Sequence, residues 1–319
     1  MQKSKALKKL AAFFQLIRWP NLLFVALTQF LFAYCVIIPV FEKAGIEPNA
    51  YGKRLWLIML SLVCITAAGY IINDYFDLNI DRINKPQKLI VDKIIPRRHV
   101  IAYHIILSLI GIGIGFYLDI TSHIRLLGLL NIVFTGLLFW YSISLKRQPL
   151  VGNVLVSFLT ACSILEIAWC EAGNLFHPTN GLNVARISRF TFLYAGFAFI
   201  ISLIREVIKD MEDVEGDRRD GCRTLPIVWG INGTKIFTGV WVIVLISILL
   251  IVQFYILQYH WWIAASYCVL TIILPLSWVF RQLFPAQTSK DFHLLSSVVK
   301  LVMLMGILSL AVIRLNEAL

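Results

Sequence analysis

Two acidic clusters carry the residue types and spacings in this chain that could do chemistry. The first reads Asn73-Asp74-Tyr75-Phe76-Asp77-Leu78-Asn79-Ile80-Asp81, followed by Arg82, Asn84, Lys85 and Pro86. The second reads Lys209-Asp210-Met211-Glu212-Asp213-Val214-Glu215-Gly216-Asp217, with Glu206 one turn earlier. Asn73, Asp77 and Asp81 stand at i, i+4 and i+8, with Asp74 three residues before Asp77; Asp210, Asp213 and Asp217 stand at i, i+3 and i+7. A helix carried through either stretch lines these side chains up on one face. Like charges at that spacing repel, so a helix does not gain stability from them, and a cation is expected among them. Hard oxygen ligands in this number suit Mg²⁺, which keeps several waters and bridges carboxylates to substrate phosphates.

The elements that must position these clusters are membrane-spanning helices. Of the 319 residues, 59% are hydrophobic and 15% charged, with a mean hydropathy of +0.79; ordinary soluble domains run about 45–50% apolar and about 25% charged. The composition excludes disorder, a coiled coil and a secreted disulfide scaffold. Apolar runs long enough to cross about 30 Å of hydrocarbon occur at roughly 20–40, 55–73, 101–118, 123–144, 150–171, 190–208, 236–257, 261–281 and 294–315. The expected fold is therefore all-α, with nine transmembrane helices in one domain over 1–319. The basic start, Met1 to Lys9, is followed by about twenty apolar residues with no small-residue cleavage site, which reads as a first permanent span.

The net charge of +11 has a topological explanation. With the N-terminus cytoplasmic, 22 of the 29 Lys and Arg fall on the cytoplasmic side and seven on the other, a positive-inside distribution that needs no nucleic-acid partner. Both acid clusters follow spans that descend to the cytoplasmic face, four spans apart, hinting at two duplicated four-helix units plus one extra helix. Interfacial anchoring ordinarily uses Lys, Arg, Trp and Tyr, and concentrated Asp beside an anionic surface is costly unless neutralised. The segment 172–189, with Gly173, Pro178 and Gly181, reads as an outer loop. The six cysteines form no CxxC pair and the six histidines no metal pattern. Glu166 is an acid near membrane depth, with a functional and a solvated or paired reading both open.

These residues carry a resemblance. Asn73-Asp74-x-x-Asp77-x-x-x-Asp81 is similar to the first aspartate-rich motif of the UbiA superfamily of intramembrane prenyltransferases, and Asp213-x-x-x-Asp217 resembles the second. Arg18-Trp19-Pro20-Asn21 resembles the family's first-helix signature, in which the Asn lines the active chamber, and Tyr141-Ser142-x-x-x-Lys146-Arg147 with Gly152-Asn153 resembles the stretch closing the fourth helix. The resemblance implies nine spans, an active site toward the cytoplasm, and Mg²⁺-dependent transfer of an isoprenoid from its diphosphate to an acceptor within the bilayer. It implies that Asn73, Asp77, Asp81, Asp210, Asp213 and Asp217 hold the metal, with Asp74 in the same catalytic cluster. Lys146, Lys209 and Arg223 are then expected to contact phosphate oxygens, and Asn21, Arg82 and Tyr141 to bind substrate. Taken without the family, Lys146 and Arg147 read as topogenic charges, and Arg18 to Asn21 as an interfacial helix start.

Within the superfamily the second cluster, followed by Gly221 and Thr224-Leu225-Pro226, looks most like the branch that adds a second geranylgeranyl group to geranylgeranylglyceryl phosphate. Such an acceptor brings a second anion, for which Arg82, Lys85, Lys88, Arg97 and Arg98 are the available basic residues at the mouth. An aromatic or quinone precursor, or a tetrapyrrole, is the alternative acceptor. A cation transporter fits less well, because transporters bind near the bilayer midplane on broken helices, whereas these acids gather at helix ends on one face.

Overall fold

Inside hydrocarbon a backbone finds no water, so an apolar chain must satisfy its own N–H and C=O groups, and helices do so segment by segment. The computed structural model describes residues 2–84, 87, 89–122, 124–176 and 181–318, without the side chains of 2–6, 81, 83, 84, 317 and 318. Among the described residues the chain is helical, its helices joined by turns and one isolated bridge between Val91 and Ile95. The basic helix α1 (Gln2–Leu16) is followed by α2 (Trp19–Lys43), α3 (Gly52–Phe76), α4 (Arg97–Thr121), α5 (Leu127–Ile143), α6 (Val151–Trp169), α7 (Val184–Glu212), α8 (Gly230–Leu257), α9 (Trp262–Leu283) and α10 (Ser289–Ala318). From α2 onward, eight are long and apolar enough to cross a membrane. The remaining one, α5, has 17 residues; at 1.5 Å per residue it reaches about 26 Å, just under the hydrocarbon thickness.

The expected run 123–144 is trimmed at its start for a local reason. Leu126 takes a left-handed φ of 65°, and the Asp119 carboxylate accepts from Leu127 N and Gly128 N, both at 2.9 Å. This caps the positive end of α5 with an acid. Two other spans bend where prolines require it. In α2 and α9, π-helical turns at Ala33–Ile37 and Val269–Ile273 end two residues before Pro39 and Pro275. Proline lacks a donor and crowds the carbonyl four residues back, and the widened turn absorbs both effects.

Small residues let α3, α4 and α5 pack backbone to backbone. A Cβ on Gly111 would stand 2.9 Å from Ser61 O, and one on Gly115 2.9 Å from Gly128 Cα. The Ser61 hydroxyl donates to Gly111 O at 2.6 Å and accepts from Asn131 Nδ2 at 2.8 Å, tying the three helices through buried polar groups. The spans α2, α3, α5, α6, α7 and α10 enclose a central chamber. Outside that ring, α8 turns Ile236, Val240, Ile243, Ile251 and Phe254 outward at helical spacing, an apolar face suited to lipid.

Candidate active site

Neither acid cluster rides on an unbroken helix, which corrects the expectation of a continuous stripe. The last residue of α3 is Phe76 and the last of α7 is Glu212; the next residues, Asp77 (φ −83°, ψ 3°) and Asp213 (φ −99°, ψ 8°), leave helical geometry. Short helices, Leu78–Asn84 and Val214–Arg219, restart beyond them and pack against each other. Both acids occupy the sparsely allowed bridge region where the chain turns without glycine. Each break still returns a backbone bond of 2.9 Å, Asp77 N to Asn73 O and Asp213 N to Lys209 O. Asn and Asp side chains that bond locally favour such helix ends, and Asn73 Nδ2 donates to Asp77 Oδ2 at 2.7 Å. The same device thus appears in two spans four crossings apart.

The cation expected among the first acids is in part the protein's own. Lys146, in the turn after α5, donates to Asp77 Oδ1 at 2.6 Å and to Asn73 Oδ1 at 3.2 Å, with its side chain 9% exposed. Gly152 permits this: a Cβ there would stand 2.8 Å from Lys146 Cα and 2.9 Å from Leu145 O, so α6 starts hard against the lysine's backbone. Asp74 turns away to Arg18, whose Nη2 lies 2.6 Å from Asp74 Oδ1 and whose guanidinium covers the Tyr70 ring at 5.0 Å. The Asp74 charge raises the Arg18 pKa above its already high value, so the guanidinium stays charged.

On the facing side, Asn153 at the start of α6 donates to Asp210 Oδ2 at 2.8 Å, and Arg205 pairs with Glu206 at 2.8 Å. Arg147 bonds Asp220 at 3.0 Å, and its carbonyl accepts from Arg223 N at 2.8 Å, joining the loops after α5 and α7. Cys222, in the second of these loops, has its thiol pushed up to about 11 by burial and by Asp217, so it stays protonated and is no nucleophile.

Together these groups form the polar mouth of a chamber of about 380 Å³. Its wall becomes apolar with depth, through Leu62, Ile65, Phe134, Leu159, Ile164 and Leu310. Of the residues singled out in the sequence, Asn21, Asn73, Asp77, Tyr141, Lys146, Lys209, Asp210, Asp213 and Asp217 line it. Asp74 supports it from behind through Arg18, and the Asp81 side chain lies outside the described residues. Arg82 is exposed 4.0 Å from Asp92, and Arg223 is also exposed; neither is brought to the chamber wall. Arg97 covers the Tyr75 ring at 5.3 Å and Arg98 is exposed, while Lys85 and Lys88 lie outside the described residues.

Sequence reasoning missed Arg18, Arg205 and Lys300 as chamber residues. Arg205 was legible in principle: it shares a helical face with Asp213 through Lys209, at steps of four. Lys300 sits inside an apolar run, where an ionisable residue marks a functional position by default. Glu166 is buried behind the wall, accepting a long 3.4 Å bond from Gln29 Nε2, and does not reach the chamber.

Known proteins share the sequence pattern and the fold of this chain. The digeranylgeranylglyceryl phosphate synthase of Methanosphaera stadtmanae is 31% identical over 265 residues, covering 82% of this chain and 89% of that protein. A solved structure described as that of a digeranylgeranylglyceryl phosphate synthase in membranes superposes with a TM-score of 0.61 at 20% identity, covering 97% and 99% of the two chains. A UbiA homologue from Archaeoglobus fulgidus, solved bound to DMAPP and Mg²⁺, has a TM-score of 0.51 at 14% identity over 94% and 99%. The model of the UbiA prenyltransferase family matches residues 30–305, a stretch that contains both broken helices and their acids. Spanning helices, paired acid breaks and that match lead to one assignment: the chain belongs to the UbiA prenyltransferase family and is a membrane prenyltransferase.

Proposed function

We propose that this enzyme transfers a geranylgeranyl group from its diphosphate to the free hydroxyl of geranylgeranylglyceryl phosphate, releasing diphosphate. The observation that carries the transfer reading is the division of the chamber: acids and cations from α3, α7 and the turn after α5 at the mouth, and a largely apolar wall below, interrupted only by hydroxyl side chains such as Thr28, Thr66, Thr160, Ser163 and Ser202. A prenyl diphosphate has the same two parts. The acceptor rests on the names of relatives such as the Methanosphaera stadtmanae protein.

The residues present fit Mg²⁺. Asn73, Asp77, Asp210, Asp213 and Asp217 supply hard oxygens around one chamber. Among the described residues no three acids, histidines or cysteines converge as a closed cage, which suits an ion held by one or two carboxylates plus substrate phosphates. Bound there, Mg²⁺ would offset charge growing on the leaving diphosphate. Lys146 and Lys209 hold phosphate oxygens, acting by preorganised charge. Phe134 and Phe197 line the wall and offer negative ring faces to the allylic cation. The apolar wall excludes water that would otherwise capture it.

In this reading α5 is a ninth crossing, within the usual lower limit of about 17 residues, and the N-terminus and chamber mouth are cytoplasmic, as the charge distribution requires. The test is purified protein given geranylgeranyl diphosphate and Mg²⁺ with each acceptor class, products read by mass spectrometry. Digeranylgeranylglyceryl phosphate is the expected product; transfer confined to a hydroxylated aromatic acid would replace the acceptor and keep the transferase.

A further inference from the structure

The cations of the chamber mouth are not equally committed. Lys146 already has a carboxylate partner in Asp77, and Arg18 in Asp74. Lys300 is different. It comes from the tenth helix, eleven residues after Ser289, and faces the chamber where α10 meets α2. Among the described residues it makes no ion pair: its Nζ donates to the neutral Asn21 Oδ1 at 2.8 Å and lies 5.3 Å from the centroid of the Phe24 ring. An ammonium has three donors, and among the described residues only one of them, toward Asn21, meets a hydrogen-bond acceptor.

Its neighbours sharpen the imbalance. Lys300 lies within electrostatic reach of two further cations of the wall, Arg205 and Lys209. Arg205 uses Nη1 on Glu206, while its Nε is buried without a hydrogen-bond acceptor among the described residues. Gathered like charges and an unmatched buried N–H each cost free energy. Such a cost is ordinarily carried by sites that bind the opposite charge. The acids that would hold the diphosphate metal sit at the ends of α3 and α7, with Lys146 reaching them from the turn after α5; Lys300 enters from α10 beside α2.

We propose that Lys300, with Arg205 and Asn21, forms a second anion subsite on the α2–α10 side of the chamber, and that it receives the phosphate monoester of the lipid acceptor. This rests on the acceptor reading above and replaces the exposed mouth residues Arg82, Arg97 and Arg98 as the source of the second positive charge. Lys300 supplies the charge, the Arg205 guanidinium in the chamber lining a second cation, and Asn21 holds the ammonium in place.

The test compares wild type with Lys300→Gln, which keeps a polar partner for Asn21, and with Lys300→Arg, which restores the charge. Steady-state kinetics are run with geranylgeranylglyceryl phosphate and with its dephosphorylated alcohol. Lys300→Gln should raise KM for the phosphorylated acceptor by about tenfold or more, the loss of one charge-assisted hydrogen bond. KM for geranylgeranyl diphosphate should stay within about twofold, and Lys300→Arg should recover most of the acceptor affinity. In wild type the alcohol should already show the weakened KM, a comparison that stands even if Lys300→Gln fails to fold. Unchanged acceptor KM in folded Lys300→Gln, a loss falling on the diphosphate donor instead, or equal wild-type KM for alcohol and phosphate ester would each overturn the subsite while leaving the acceptor reading in place. Wild-type activity confined to unphosphorylated aromatic acceptors would remove both.

Discussion

Lys146 Nζ lies 2.6 Å from Asp77 Oδ1, across the seam between α3 and the turn after α5. The first acid cluster therefore already contains a cation, fixed to one carboxylate oxygen, while Asn73 holds the other oxygen of the same group. A group so arranged is oriented before any substrate arrives, the condition under which electrostatic stabilisation acts without reorganisation.

Lys146→Met is expected to lower kcat by about 10²–10³, the usual cost of losing one preorganised charge donor. The protein should remain monodisperse in detergent, since the lysine lies at the mouth and not among the helix contacts. A kcat within threefold of wild type would mean that Lys146 serves only to neutralise Asp77.

Asp77→Ala and Asp213→Ala each remove an acid from a helix break, and each is expected to leave less than about a tenth of the wild-type rate, a loss above 1.4 kcal/mol in barrier. Retention of more than that by both folded variants would sink the paired-acid site.

Asn153, at the start of α6, donates to Asp210 at 2.8 Å. As a positioning residue it should show its effect in metal dependence: Asn153→Ala is expected to raise the Mg²⁺ concentration for half-maximal activity, with kcat partly recovered at saturating metal. A loss of kcat that no Mg²⁺ concentration restores would assign Asn153 a different role.

Gly152→Ala places a methyl 2.8 Å from Lys146 Cα, against backbone that cannot rotate away. The turn carrying Lys146 must shift, so activity should fall, with a moderate loss of stability, overpacking at a buried contact costing about 1–3 kcal/mol. Wild-type activity together with strong destabilisation would place the strain in α6 instead.

Membrane orientation is open to cysteine labelling, because all six native cysteines are buried. Lys93→Cys stands on an exposed turn and Arg219→Cys at the exposed end of the short helix Val214–Arg219, near the two acid clusters, and Phe176→Cys on the exposed segment after α6. An impermeant maleimide should reach the first two from the cytoplasmic side and the third from outside. If the first two labelled from opposite faces, the acids could not share a chamber.

The sequence by itself determined the properties that depend on local pattern and length. Apolar runs named the spans, the Lys and Arg distribution gave an expected orientation, and acid spacing pointed to two clusters at one membrane face. These are legible because transfer into hydrocarbon and the helix period act residue by residue along the chain. Even so, α5 came out shorter than its apolar run, because Asp119, in the preceding helix, captures its first amide groups.

What only the tertiary structure decided is which partner each charge meets. Asp74 and Asp77 are three residues apart in one motif, yet one faces Arg18 and the other Lys146 and the chamber. Lys300 counts as a topogenic charge when assigned to the nearer helix end, but packing of α10 against α2 turns it onto Asn21 inside the chamber. The helix breaks at Asp77 and Asp213 were likewise invisible to periodicity, since the propensity cost of Asp in a helix is only a fraction of about 1 kcal/mol. A charge in a low-dielectric wall is governed by whatever lies within a few ångströms, and across 279 residues of sequence, as between Asn21 and Lys300, only the folded packing of the helices sets that distance.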